Sequence, residues 1–242
     1  MLLVLLTFLP LIGALAVVLT PSGAEKLQRA LGLGTTLITA ALGVYLYAGY
    51  LQPGTDATQY AFEVPWFALP SSYGAPTPVH FKLGLDGLSM LMVGLTAVLM
   101  PVVMLSTWGH VDKRVKEFML WMLVMETGML GTFLALDLVL FYFFWEISLI
   151  PLYFLVGIWG GAKRLYATLK FFLYTLAGSL VMLVAIIAIL WDHGSSDIPS
   201  LTRELWREPL TRQLWYFAAF ALALGIKVTL LPFHTCLHDA HT

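Results

Sequence analysis

The chain has 242 residues, of which 60% are hydrophobic and only 11% charged, a balance that excludes an ordinary soluble domain, about half apolar and about a quarter charged. Its 13 Lys and Arg against 14 Asp and Glu leave a net charge of −1 with no long basic run, so nothing points to nucleic acid as a partner. A single cysteine, Cys236, excludes an internal disulfide framework and a thiolate metal cluster of the chain's own.

Residues 2–19 open the chain without the positively charged start of a secretory signal, and they read as a first membrane span. A span needs about 20 mostly apolar residues. Further candidates follow at 30–51, 85–108, 118–136, 138–159, 165–191 and 214–231, about seven in all. The predicted fold is an all-α polytopic transmembrane helix bundle, with lipid as its main environment. Two longer stretches separate spans. Residues 52–84 are rich in Pro, Gly and Thr and read as a loop; residues 192–213 contain Ser200-Leu201-Thr202-Arg203-Glu204-Leu205-Trp206-Arg207-Glu208, which predicts a short helix lying in the interface. Neither is a domain linker. Trp108, Trp159, Trp191 and Trp215 fall at span ends, where an amphipathic ring prefers the headgroup layer.

Counting basic residues over alternate loops sets Lys26, Arg29, Lys113, Arg114, Lys116, Lys163 and Arg164 on one side. Lys82, Arg203, Arg207 and Arg212 lie on the other. The positive-inside rule then places the amino terminus outside.

Four charged residues fall well inside spans, where each costs on the order of 3 kcal/mol unless it faces a bundle interior or a hydrated path. Glu146 lies about 12 Å into the fifth span, near the midplane. Glu126 reaches a similar depth in the fourth span from the opposite side, and the hairpin around Asp137 lets the two carboxylates approach. Lys227 lies about 20 Å into the last span. Five residues later comes Pro232, which removes the donor for the Val228 carbonyl; Pro151 stands in the same relation to Glu146 and frees the Ile147 carbonyl. Broken helices at membrane depth belong where the backbone is buried in protein or lines a hydrated cavity.

Each site also has a structural explanation. Glu146 can hold two helices together, Lys227 and Lys170 can snorkel to the inner headgroups, and the glycines beside Glu126, Gly128 and Gly131, suit plain close packing. Lys170 is only about 8 Å inside the inner boundary. Chemically, desolvation favours the neutral forms of Glu and Lys whereas pairing favours the charged ones. A Glu beside a movable Lys is therefore a proton switch: any motion that changes their separation changes where a proton sits.

The run His234-Thr235-Cys236-Leu237-His238-Asp239-Ala240-His241 offers metal-ligand types, but its spacing matches no strong zinc pattern and it has no second cluster. No metal is assigned; polar residues at a helix end or a proton entry region explain it. No phosphate-cradling glycine loop, nucleotide fingerprint or hydrolase elbow occurs. Seven helices with a lysine in the last would also fit a retinal protein, although the Pro232 break and the long outer loops are not expected there.

Three runs together carry a resemblance: Leu83-Gly84-Leu85-Asp86-Gly87-Leu88-Ser89; Leu138 to Glu146 with Leu149-Ile150-Pro151-Leu152-Tyr153; and Gly225-Ile226-Lys227-Val228 followed by Leu231-Pro232-Phe233-His234-Thr235. With Thr168-Leu169-Lys170-Phe171-Phe172 they resemble the subunit M family of bacterial NADH:quinone oxidoreductase (respiratory complex I), the counterpart of mitochondrial chain 4. The match runs from about residue 83 to the end. The resemblance implies a proton-translocating subunit in which Glu146 and Lys227 form the proton-handling pair, with Lys170 and Glu126 on the same charged axis. It also implies that this chain binds no cofactor; NADH, FMN, iron–sulfur clusters and quinone belong to partner subunits, and other membrane subunits of complex I are its partners. The expected location is the cell inner (plasma) membrane.

Within the resemblance, residues 1–82 read as the first two helices and an outer loop, and 83–242 as the start of a proton-conducting domain. The family fold has about fourteen helices in two inverted repeats with a broken seventh helix, so the chain is expected to be an amino-terminal portion. It departs from the family at Cys236 and His238, where the family has Trp and Pro. A subunit of a multisubunit sodium/proton antiporter or a membrane-bound hydrogenase is the related alternative, and a purely structural membrane scaffold the remaining one.

Overall fold

The computed structural model describes residues 1–50, 58–70, 76–161, 163–231 and 233. Helices dominate, because backbone N–H and C=O groups in lipid must be satisfied within the segment that carries them. The chain folds as two compact units.

The first unit contains α1 (Leu2–Leu19), α2 (Glu25–Tyr50), α3 (Gly87–Ser106), α4 (Val115–Leu134), the end of α5 (Leu138–Ile147) and most of α6 (Leu149–Trp159). Small residues set its helix contacts. A Cβ on Gly13 would meet the Thr35 side chain at 2.3 Å, and one on Gly131 would meet the Phe144 ring at 2.3 Å, so these pairs pack at backbone distance. Asp86 starts α3 by accepting the Leu88 and Ser89 N–H groups, while the Ser89 hydroxyl accepts from the Asp86 N–H at 2.7 Å. At one end of this bundle Arg29 donates to the Val111 carbonyl at 2.8 Å, and the Lys116 ammonium donates to the Thr20 carbonyl at 2.7 Å.

The second unit contains the start of α5, the end of α6, α7 (Arg164–His193), α8 (Ile198–Leu205) and α9 (Leu210–Lys227). A Cβ on Gly178 of α7 would lie 2.8 Å from Ile226 Cδ1 of α9. The expected short helix in residues 192–213 is α8, whose cap Asp197 accepts the Ser200 N–H at 3.0 Å and which buries Leu201 while exposing Arg203 and Glu204. Beside it the His193 ring sits between Glu204 and Glu208, each 3.6 Å away.

Two features differ from expectation. Residues 52–84, read as a loop, carry two paired strands, β1 (Gln59–Leu69) and β2 (Thr77–Leu85). Tyr60, Phe62, Val64, Trp66 and Phe67 supply aromatic and β-branched side chains that strands favour, and a two-stranded sheet has only edges, where Pro65 and Pro78 are tolerated. The fold is therefore mostly helical with a small sheet. Second, six helical stretches among the described residues are long and apolar enough to cross a membrane: α1, α2, α3, α4, the α5–α6 pair and α7. The expected seventh span is helical as α9, but it begins at Leu210 and ends at Lys227, so it takes in Arg212 and Gln213 and loses Val228, Leu230 and Leu231.

Candidate functional site

Glu146 occupies the last turn of α5. The helix stops at Ile147, Ser148 forms a turn, and α6 begins at Leu149. Pro151 explains the interruption, since it offers no N–H to the Ile147 carbonyl and its ring crowds that oxygen. Ser148 closes the break by donating its hydroxyl to the Trp145 carbonyl at 2.8 Å and its N–H to the Phe144 carbonyl at 3.2 Å. The fifth span is thus two half-helices, with Glu146 beside the break. Its Oε1 is buried and has no hydrogen-bond partner among the described residues.

Glu126, on α4, is fully buried, and neither of its carboxylate oxygens has a hydrogen-bond partner among the described residues. The α4 register against α5 and α6 locates it relative to Glu146. Gly128 abuts Ser148, Gly131 abuts Phe144, and the Trp121 ring stacks on Phe154 with centroids 4.3 Å apart. These pairs run antiparallel and place residue 149 level with Glu126. Glu146 is three residues further along, so the two acids differ in level by about 5 Å. Glycine packing and the buried acid coexist on α4: Gly128 and Gly131 face the α5–α6 pair.

Lys170 and Lys227 belong to the second unit. Lys170 is half-buried in the second turn of α7, with Nζ 5.8 Å from the centroid of the Tyr166 ring, a cation–π geometry. Lys227 is the last residue of α9 and also half-buried. Beyond it Thr229 takes a left-handed conformation, φ 58°. Its N–H bonds to the Ile226 carbonyl at 3.2 Å and the Leu230 N–H to the Gly225 carbonyl at 2.8 Å. This is a Schellman terminator, and the positive charge on Lys227 suits the carbonyl end of a helix. The helix thus ends at the lysine itself, five residues before Pro232, which lies outside the described residues. From the contact of Gly178 with Ile226, Lys170 stands about 10 Å from Lys227 along α7.

In the sequence Asp137 marks only a turn. In the structure its side chain is buried and binds four donors. Oδ1 accepts the Val139 N–H at 2.9 Å and the Leu140 N–H at 3.2 Å; Oδ2 accepts the His80 N–H at 3.1 Å and the Ser196 hydroxyl. An Asp just before an apolar helix is a legible N-cap; the partners from β2 and the α7–α8 connection leave no local trace. The metal-like run from His234 to His241, with Cys236 and His238, lies outside the described residues.

Residues 135–242, which carry Asp137, Glu146, Lys170 and Lys227, match the family model described as NADH:quinone oxidoreductase/Mrp antiporter, TM. Over 255 aligned residues the chain is 41% identical to NADH-quinone oxidoreductase subunit M of Rhodobacter capsulatus, covering 99% of this chain and 48% of the relative. It is 35% identical to NADH-ubiquinone oxidoreductase chain 4 of Prototheca wickerhamii, over 96% of this chain and 46% of the relative. Along nearly its whole length the chain is similar to subunit M/chain 4 of NADH:quinone oxidoreductases. A chain of respiratory complex I from Thermus thermophilus superimposes with a TM-score of 0.81 at 31% identity, covering 99% of this chain and 46% of that one. The chain therefore spans about half the length of the family members it matches.

Proposed function

We propose that this chain is part of a proton-translocating membrane subunit of an NADH:quinone oxidoreductase. In this reading Glu146 and Lys227 handle the proton, Lys170 and Glu126 extend their charged axis, and the amino terminus faces outward across the inner (plasma) membrane. The partners are other membrane subunits of the complex, and NADH, FMN, iron–sulfur clusters and quinone are bound by those partners. Within the chain, residues 1–82 supply the first two transmembrane helices and the outer segment that follows them, and residues 83–242 the start of the proton-conducting domain.

The observation that carries the reading is the placement of Glu146. A carboxylate with a buried oxygen that has no hydrogen-bond partner among the described residues sits in the last turn of a half-helix, beside a proline-imposed break inside an apolar span. A group that served only to pin two helices would spend its oxygens on hydrogen bonds. A group that must take up and release a proton needs access and movable surroundings, which a helix break supplies. The family description also names Mrp antiporters, and the same residues would serve sodium/proton exchange.

The test is NADH-driven proton pumping in inverted membrane vesicles from a strain carrying the full-length subunit, with Glu146→Gln and Glu146→Ala beside the native protein and assembly checked in parallel. Assembled complexes are expected to lose pumping by about 100-fold or more, the scale of a lost general acid–base group. Undiminished pumping in an intact complex assigns Glu146 to helix packing and removes the reading. Sodium-dependent pumping would favour the exchanger.

A further inference from the structure

An N-cap needs one carboxylate oxygen, yet Asp137 uses both. Oδ1 caps α5 through Val139 and Leu140, which would suffice to start the helix. Oδ2 is occupied by the His80 N–H, from β2, and the Ser196 hydroxyl, from the α7–α8 connection, partners 57 and 59 residues away in sequence. The Ser196 hydroxyl oxygen also lies 3.2 Å from the Pro78 carbonyl. Backbone pairing surrounds the carboxylate: the Leu138 N–H bonds to the Ser196 carbonyl and the Ile198 N–H to the Leu136 carbonyl, both at 2.9 Å. A strand, a helix start and the approach to α8 are therefore tied at a single buried side chain, whose partners are two backbone amides of its own helix, one from β2 and one hydroxyl. No charged side chain is among them.

The knot sits at the head of a short rod. α5 has only 10 residues, Leu138–Ile147, and Ser148 separates it from α6. Glu146 is nine residues from Asp137, about 14 Å along that rod. A helix transmits displacement along its axis, whereas a break absorbs it. What fixes the start of α5 therefore fixes the level and rotation of Glu146 more directly than anything beyond the break.

We propose that Asp137 is a positioning residue for Glu146: its Oδ2 ties to β2 and to the α7–α8 connection set where α5 holds the proton-handling carboxylate, and displacement of either partner segment moves that carboxylate. This rests on the reading of Glu146 given above.

Asp137→Asn leaves one acceptor oxygen where there were two. Asn caps helices as well as Asp, but its amide presents an NH2 group to one of the two donor sets, so either the His80 tie or the cap loses its acceptor. Ser196→Ala removes one tie and leaves the carboxylate in place. Both are measured in the assembled full-length complex, beside Glu146→Gln, by pumping rate and by the pH dependence of pumping. The expected result is a rate lowered about threefold or more in assembled complexes, together with a pH profile whose midpoint moves by about half a unit or more. A lower rate on an unmoved profile makes Asp137 a fold residue and overturns the proposal, as do a native rate and profile. Should Asp137→Asn fail to assemble, Ser196→Ala supplies the same two readouts, and a native profile there is equally decisive against it. If Glu146→Gln alone pumps normally, the parent reading has failed; if only Asp137→Asn and Ser196→Ala are silent, this inference alone has failed.

Discussion

Glu126 is a buried acid that gives the fold little in return. With neither oxygen hydrogen-bonded among the described residues, it carries the desolvation cost of a polar group without the bond that would offset it. Replacing it with methionine, of similar length, should raise stability by about 1–3 kcal/mol, read as a higher unfolding temperature of the detergent-solubilised protein. The same substitution should lower pumping. A lower unfolding temperature would show that the carboxylate holds the bundle together, and Glu126 would leave the proposed proton axis. Glu126, Glu146, Lys170 and Lys227 were legible in the sequence because a charge in an apolar run stands out whatever it touches. Asp137 was not, because its meaning comes from His80 and Ser196, and nothing in the residues around Asp137 announces strand β2 or the approach to α8.

At the scale of elements, glycine decides how closely α4 meets the α5–α6 pair. A Cβ at Gly131 would overlap the Phe144 ring, with three ring atoms between 2.3 and 2.5 Å. Phe144 is itself buried and touches Phe8 of α1, ring centroids 6.2 Å apart. Gly131→Ala should therefore cost about 1–3 kcal/mol through overpacking. Gly94→Ala on α3, where a Cβ meets nothing within 4 Å, should be neutral or stabilise by up to about 1 kcal/mol through helix propensity. Unfolding temperatures of the two variants check the contrast, and equal effects would mean that α4 can shift to admit a methyl group. Helix limits were legible where composition changes sharply: residues 2–19 form α1 as expected, and 138–159 bound α5 and α6, with Pro151 marking the break between them. β1 and β2 were hidden because Pro65, Pro78 and the nearby glycines read as loop, and the two paired edges that accommodate those prolines cannot be seen along the chain. The end of α9 is hard to place for a related reason: in the sequence Pro232 signals the break, but Thr229, a β-branched residue at φ 58°, forms the terminator, and such residues rarely adopt that conformation.

For the whole molecule, the proposed orientation rests on where the cations gather. In the first unit Arg29 reaches the Val111 carbonyl and lies 3.6 Å from Asp112, while Lys116 reaches the Thr20 carbonyl, so the α1–α2 and α3–α4 connections meet at one end of that bundle. Lys26, Arg29, Lys113, Arg114 and Lys116 belong to those connections and the helix ends beside them. In the proposed orientation the positive-inside rule assigns that end to the cytoplasm, and counting spans from it would send residues 58–70 and the amino terminus to the outer side. Asp112 and Glu63 are suitable reporters, with side chains 84% and 46% exposed. In a full-length protein with Cys236→Ser, a membrane-impermeant thiol reagent should label Glu63→Cys in right-side-out vesicles and Asp112→Cys only after permeabilisation. Because spans alternate, one reversed label reverses every loop. The opposite pattern would put the cationic end outside, reverse the side from which Glu126 and Glu146 are reached, and require the proposed proton path to be redrawn from the other face.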